Sequence, residues 1–371
     1  MMKINKKVSF HKAITTSREF FKEGTGIKCV HYGDIYKNYS GKKVCSSNII
    51  NSFANPVAAE KILYCDSIIV PDVTETVSDW GHFTYIEYDG TPYINGTHAI
   101  ALTCNSNDEL KYIFRYLSSN LNRKRLQSYL NGSTVFQINV KDFGLFSLEN
   151  YHDNPVDQQH IVDILGSIDD KIENNGKIIE NLEQFAIAEY QKITKEADSF
   201  ICLGDVIDIF DSKRKPLSSR EREAKKGSYR YFGATGVLDY VNNYLFDGEY
   251  VLLAEDGTVI DAEGFPIVQL VTGQFWINNH AHIMQAKSNY TNYSLYVALK
   301  RLQVKEAVTG AVQLKINQAN LCALELPYIT PDVLLGYNNM IEPMFKKIIH
   351  IRNENEVLNK LKQLYLQKFF G

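Results

Sequence analysis

Several signatures that would name a chemistry at once are missing from this sequence. Its 371 residues contain no G-x-x-x-x-G-K-[ST] phosphate loop, no strand-borne G-x-G-x-x-G and no H-E-x-x-H, so the common nucleotide, dinucleotide and zinc-protease motifs are absent. The six cysteines, Cys29, Cys45, Cys65, Cys104, Cys202 and Cys322, form no C-x-x-C pair and no tight Cys/His spacing. That argues against a zinc ribbon or a disulfide framework and fits a reducing cytoplasm. No run of about 18 apolar residues occurs, and MMKINKKVSF has no apolar signal core, so neither a membrane span nor a signal peptide is expected. An excess of one charge is missing too. Forty Lys and Arg stand against 43 Asp and Glu, a net charge of -3, so any polyanion must be met by local patches. The N-P-P-[FYW] and D-P-P-Y motifs of amino-methyltransferases do not occur either, so any methyl transfer would have to be done by another chain.

What is present is ordinary globular composition, 44% hydrophobic and 22% charged, in a chain long enough for two domains. Landmarks recur in the same order. Gly33-Asp34-Ile35 is echoed by Gly204-Asp205-Val206, Tyr93 to Ala99 (YINGTHA) by Trp276 to His282 (WINNHAH), and Gly132 to Asn139 by Gly310 to Asn317. Any one pair could be chance, but ordered recurrence with unequal offsets points to a duplicated domain with divergent loops.

Each half ends in a helical pattern. Ile161, Leu165, Ile168, Ile172, Ile179, Leu182, Ala186 and Ile193 follow coiled-coil spacing, interrupted at Asn175 and Glu189, with Pro155 and Asp157 suited to a helix start. The helix should run from Pro155 to about Glu196, roughly 60 Å at 1.5 Å per residue. Leu334, Tyr337, Ile341, Met344, Ile348, Ile351, Leu358, Tyr365 and Phe369 form a second seam, interrupted at Asn355 and Lys362, and Pro343 within it should kink or split the helix. Asn175 and Asn355 either set register or are solvated. The parts between, 1–150 and 199–327, alternate short β-rich runs (Ser67 to Val70, Tyr250 to Leu253) with Gly, Asn and Asp turns. The first also carries one helix, Glu109 to Leu130. The expected architecture is mixed α/β, ordered as domain 1–150, helix 151–198, domain 199–327 and helix 328–371.

The densest charge lies between Lys213 and Tyr231. Lys213, Arg214, Lys215, Arg220, Arg222, Lys225, Lys226 and Arg230 face only Glu221 and Glu223, with Tyr229 and Tyr231 beside them and Gly233 to Gly236 (GATG) following. Such a run can be a solvated loop, but flexible cations suit phosphates and a glycine turn lets backbone approach a ligand. Lys213, Arg214, Lys225 and Lys226 are expected on phosphates, and Tyr231, Thr235 and His280, with Asn279 beside it, nearer base edges. The first half offers Lys42, Lys43, Ser46, Asn48, Thr74, Thr76 and His98. His98 and His280 read as equivalent loop residues, whereas His280 and His282 would point to opposite faces of a strand and make a poor metal pair. Asp72, Glu109 and Lys111 satisfy the loose P-D…E-x-K pattern of metal-dependent nucleases.

Residues 155–193 (PVDQQHIVDILGSIDDKIENNGKIIENLEQFAIAEYQKI) closely resemble the central conserved region of specificity subunits of type I restriction-modification enzymes. YRYFGATGVLDYVNNYLFDGEYVLLAEDG with WINNHAH resembles one class of their target recognition domains. The C-terminal ENEVLNKLKQLYLQKFFG is similar to their distal conserved region, with Leu-Lys-Gln where Leu-Arg-Asp is usual, and HYGDIYKN with the Thr-Glu-Thr loop matches the first domain more loosely.

The resemblance implies a non-catalytic subunit that selects double-stranded DNA sequence through two target recognition domains. These would be separated by antiparallel helices in a pseudo-twofold arrangement. It implies docking of two methyltransferase subunits and leaves open whether restriction or translocase subunits join. No cofactor is expected on this chain, with S-adenosylmethionine, ATP and Mg²⁺ confined to partners. A helical ruler of that length exceeds one B-DNA turn, about 34 Å, so two half-sites with an unread spacer follow. The helix residues put forward for partner contact are Ile168, Ile172, Ile179, Leu182, Phe185, Tyr190, Ile348, Ile351, Leu358, Leu361 and Tyr365. A stand-alone nuclease and a coiled-coil assembly protein are the alternatives.

Overall fold

The apolar runs that read as strands become the centres of two sheets. In the computed structural model, which describes residues 2–21, 26–310 and 314–371, the chain divides into two units, Met1–Ile172 with Glu356–Gly371, and Glu173–Asn355.

The first unit opens with a 3-10 turn, Ile4–Lys6. There follow β1 (Ser9–His11), β2 (Ile27–Val30), a short α1 (Tyr32–Asp34), β3 (Lys43–Cys45), β4 (Ser52–Phe53) and β5 (Ser67–Pro71). Next come β6 (Val73–Thr74), β7 (Thr84–Glu87), β8 (Tyr93–Asn95), β9 (Ala99–Thr103), α2 (Asn107–Ser118), α3 (Asn120–Gln127), β10 (Phe136–Gln137) and α4 (Val140–Gly144). The sheets run β1-β9-β5-β7-β3 and β4-β2-β8, with β6 and β10 as a small ribbon. Every residue of β5 is buried. Ile68 and Val70 enter one apolar cluster and Ile69 another, as a strand covered on both faces requires. The single helix expected over Glu109 to Leu130 is instead two. Ser119 adopts an extended conformation (φ -65°, ψ 145°) and its hydroxyl accepts from Asn122 N, so it ends α2 and caps α3.

The second unit holds β11 (Phe200–Cys202), a 3-10 turn Leu203–Asp205, β12 (Ile207–Ile209), α6 (Ser219–Ala224), β13 (Lys226–Phe232), β14 (Val237–Val241) and β15 (Phe246–Ala254). It continues with β16 (Val268–Ile277), β17 (Ala281–Ala286), α7 (Asn292–Lys300), α8 (Gln318–Cys322) and β18 (Glu325–Pro327). Its sheet runs β12-β17-β15-β16-β13-β14. Central β15 again divides its side chains, Val251 and Leu253 to one cluster and Leu252 to another.

Compared internally, the two units share a wiring diagram. β1-β9-β5-β7 corresponds to β12-β17-β15-β16, and β8-β2-β4 to the end of β16 with β13 and β14. In both, a parallel pair (β2 with β8, β13 with β16) adjoins an antiparallel one (β2 with β4, β13 with β14). The YINGTHA and WINNHAH landmarks occupy matching places. Asn139 and Asn317 also match, each capping a short helix by accepting from the backbone NH three residues on. The preceding Gly132 and Gly310 both have positive φ, 131° and 94°, although Ala311 to Gln313 of that second landmark lie outside the described residues. The Gly33 and Gly204 landmarks are not equivalent. Gly33 follows β2, whereas Gly204 sits in the 3-10 turn before β12, whose counterpart is Ile4–Lys6 before β1. Ile4 N donates to Phe146 O at 3.0 Å and Leu203 N to Leu324 O at 2.7 Å, the same bond in each unit. The structural partner of Gly33 is the GATG turn after β13.

One strand is handled differently in the two units. In the second, β15 pairs Phe246 with Phe275 and Ala254 with Ala281, ends about 26 Å apart on a straight strand. The chain from Ile277 to Ala281 can span no more than about 15 Å, so the β15–β16 ribbon must bend. Gly248 and Gly273 face each other in it with φ 127° and 80°, a backbone that glycine alone adopts without strain. The first unit cuts the same strand into β7 and β8, with Gly90 (φ 101°) in the break.

Two helices of 40 residues complete the fold, α5 (Pro155–Thr194) and α9 (Pro331–Phe370). Each begins in one unit and ends in the other. Helix α9 continues through Pro343 rather than splitting there. Antiparallel contacts join the two helices within each unit. In the first, Lys362 meets Asp169 at 2.6 Å. In the second, buried Asn175 donates to Glu354 and Asn355 at 2.7 Å each, Arg352 meets Glu183 at 2.8 Å and Tyr337 donates to Ala186 O at 2.9 Å. Asn175 is thus buried and paired across the seam rather than solvated.

Candidate nucleic-acid interface

The basic segment of the second unit separates into cations already engaged and cations facing solvent. Arg214 is engaged. Its guanidinium lies 2.6 Å from Glu255 and 3.3 Å from Asp211 and donates to the carbonyls of Asn279 (3.4 Å) and Ala281 (2.7 Å), so it braces the turn carrying His280 rather than meeting a phosphate. Arg222 pairs with Asp239 at 3.2 Å and lies over the Tyr231 ring. Lys226 meets Asp239 at 2.8 Å and Glu223 at 3.4 Å, and Arg230 donates to Thr272 O. Lys213, Lys215, Arg220 and Lys225 are exposed, with no carboxylate at ion-pair distance among the described residues. Trp276 ties this strip together, since its indole NH donates to Lys215 O at 2.6 Å and Lys225 lies over its ring.

Tyr231 is a correction. It is buried in the core, and its hydroxyl accepts from Leu217 N at 2.9 Å, so it cannot reach a base edge. Tyr229 packs on Tyr244 and is half-buried. Thr235, Asn279 and His280 are exposed. Gln269 donates to Ala234 O at 3.0 Å and Asn278 N to Phe232 O at 3.1 Å, which brings the GATG turn beside the turn carrying His280.

In the first unit the structure gathers HYGDIYKN, the Thr-Glu-Thr loop and His98. The Tyr32 ring meets His98 edge-on at 5.6 Å, Tyr36 donates to Val73 O at 2.9 Å, and His98 Nδ1 lies 2.9 Å from Asp72. Thr76 is exposed, but Thr74 is buried and spends its hydroxyl on Thr76 O. Lys42 and Lys43 are exposed, Lys43 at 3.4 Å from Glu87. Ser46 and Asn48 do not join this group. β3 carries them past Glu87 toward the Ser67 end of β5, away from Asp72, and Ser46 is buried as a donor to Asp89 at 2.8 Å. The Ser47 and Ser46 hydroxyls hold the Asp89 carboxyl well below the usual carboxylate range.

The nuclease constellation is not assembled. Asp72 meets His98, beside the first residue of β9, whereas Glu109 lies by Cys104, just past the last. Glu109 takes Lys7 at 2.9 Å and Tyr151 at 3.0 Å, and Lys111 pairs with Asp108. Among the described residues, the group with metal-ligand spacing is Asp211, Glu255 and His282. The cations among those acids are Arg214 and Lys315, the latter 3.1 Å from Glu255. His282 is buried between Asp211 at 2.6 Å and Ile316 O at 2.8 Å. Burial alone would push Glu255 up, yet its bonds to Arg214 and Lys315 outweigh this and hold it below the ordinary glutamate value.

On the helices, Ile168, Tyr190, Ile348 and Ile351 are buried by the chain itself and cannot serve a partner. Ile172, Ile179, Leu182, Leu358 and Tyr365 are partly covered, and Phe185 and Leu361 are exposed. The seam spacing marks burial but cannot say whether the neighbour is the same chain.

The family model described as the type I restriction modification DNA specificity domain matches twice, over residues 25–184 and 197–330. The chain belongs to this specificity family. A protein of Haemophilus influenzae named as a type I restriction enzyme specificity subunit is 35% identical over 125 residues, 34% of this chain and 31% of that relative's length. The type I restriction enzyme MjaIX specificity subunit of Methanocaldococcus jannaschii is 23% identical over 300 residues, 70% of this chain and 68% of its own. The crystal structure of a type I restriction-modification S subunit from M. genitalium superposes with a TM-score of 0.59 at 16% identity, covering 100% of this chain and 95% of that one. The mixed α/β fold of two specificity domains with long helices is therefore that of a known S subunit.

Proposed function

We propose that this chain is the DNA-reading subunit of a type I restriction-modification complex. Each unit's β-domain would read one half of a bipartite, asymmetric site, and the long helices would dock two methyltransferase subunits. The observation that carries the reading is one sheet built twice with dissimilar exposed ends. The second unit presents Lys213, Lys215, Arg220 and Lys225 with Thr235, Asn279 and His280. The first presents Tyr32, Thr76 and His98 with Lys42. Dissimilar donors and acceptors select dissimilar bases, while unpaired cations hold phosphate irrespective of sequence. Chemistry would reside on partners that bring S-adenosylmethionine, ATP and Mg²⁺.

Single-molecule sequencing of methylated positions in the source genome, before and after deletion of this chain, tests the proposal. A two-part, non-palindromic motif should vanish with the deletion. An unchanged methylome, or a perfectly palindromic motif, would overturn it.

A further inference from the structure

The two units share a side-chain pair that the wiring alone does not require. In the first, His98 Nδ1 lies 2.9 Å from Asp72, and the His98 carbonyl accepts from Asp72 N at 3.1 Å. In the second, His280 Nδ1 lies 2.6 Å from Asp256, and the His280 carbonyl accepts from Glu255 N at 2.9 Å. Both imidazoles are 48% exposed, and each immediately precedes the strand that pairs with the central one. The turns themselves differ. The first has one residue more between the buried asparagine (Asn95 or Asn278) and the histidine, and it holds His98 at φ 59°, a backbone costly for any residue but glycine. The carboxylate directly follows β5 in the first unit but is the second residue after β15 in the other. Two different backbones thus converge on one arrangement, an exposed imidazole with its Nδ1 on a carboxylate.

We propose that His98 and His280 are equivalent base-reading groups, one per target recognition domain, and that Asp72 and Asp256 are their positioning residues. The inference rests on the DNA-reading function proposed above. A carboxylate only accepts, so Nδ1 carries a proton, and a ring with no second proton presents Nε2 as an acceptor. An acceptor in the major groove finds its complement in the amino group of adenine or cytosine. Neighbours fit the role. Arg214 grips the carbonyls on either side of His280, and the Tyr32 edge packs on His98, so neither ring hangs from an unsupported loop.

The test uses the full chain in its own host, with the native copy replaced by wild type, His98→Ala, His280→Ala, Asp72→Leu, Asp256→Leu or Asp256→Asn, and reads the methylated motif by single-molecule sequencing. His98→Ala and Asp72→Leu should relax base preference at one position in one half of the motif by about tenfold, and His280→Ala and Asp256→Leu at one position in the other half. Asp256→Asn, which keeps an acceptor for Nδ1, should restore most of the preference. A merely structural role would lower methylation everywhere without changing which bases are tolerated, and that result overturns the proposal. So does a motif that stays intact in every variant, or methylation that falls equally on all sites with a weakened salt dependence, the mark of a phosphate contact. If an alanine variant is inactive throughout, glutamine at the same position keeps a side-chain acceptor, and an inactive glutamine variant also counts against the proposal. Failure of the wild-type copy to restore any motif would instead sink the DNA-reading function itself.

Discussion

Tyr231 and Arg214 show how one residue type serves two ends. In sequence both lie in a basic, aromatic run that suits DNA, yet one is buried under Leu217 and the other clamps Glu255 and the His280 turn. Tyr231→Phe should therefore lower stability by about 1–2 kcal/mol, because Leu217 N loses its acceptor, and leave the methylation motif unchanged. Urea unfolding and motif mapping on the same variant check both halves, and a shifted motif would return Tyr231 to the interface. Glu255 supplies a pH signature. Its carboxyl is held below the ordinary value in the folded chain, so its contribution is fully present above about pH 4.3 and fades as pH falls through the lower folded value. Acid should move the urea midpoint downward, and Arg214→Met should flatten that dependence. Equal slopes in the two proteins would contradict the network. Charge density announced the patch in the sequence. Which cations stay free could not be read there, because Asp239 on β14 and Glu255 just past β15 meet Arg222, Lys226 and Arg214 only once the chain folds.

At the scale of elements, hydrophobic period was the dependable signal. It places the first long helix from Pro155 to about Glu196, and the structure has Pro155–Thr194. Period says nothing of breaks made by one capping hydroxyl, so Ser119 turned an expected helix into two. Nor does it show a bend made by facing glycines, since Gly248 and Gly273 become partners only once β15 pairs with β16. At Pro343 a split is not found, since α9 is continuous through it. A proline in a helix interior removes a donor and crowds the preceding turn, so Pro343→Ala should stabilise the chain by on the order of 1–3 kcal/mol. Thermal or urea unfolding would check this, and a destabilised variant would show that the helix depends on the altered local geometry.

For the whole molecule, the duplication was legible from ordered landmarks, though one landmark paired the wrong places because a Gly-Asp dipeptide recurs cheaply. The family resemblance and the mixed α/β architecture hold. The helices retain apolar side chains open to solvent, Phe185 at 45% exposure on α5 and Val357 and Leu364 at 63% each on α9. Such residues on a helix face suit a protein neighbour better than water. The chain made alone should be poorly soluble or bind DNA weakly, and co-expression with a methyltransferase subunit should rescue it. A monodisperse monomer that binds one DNA site tightly by itself would contradict this.

The first unit's core includes Leu366 and Phe370, and the Phe370 ring lies 5.6 Å from that of Tyr112 and 5.4 Å from that of Tyr116. These residues are translated only after all of Glu173–Asn355. During synthesis the core of the unit begun first is therefore completed only after the other unit has been made, unlike a domain whose residues are all contiguous. A stop codon before Leu366 would thus injure the unit whose other residues are made first.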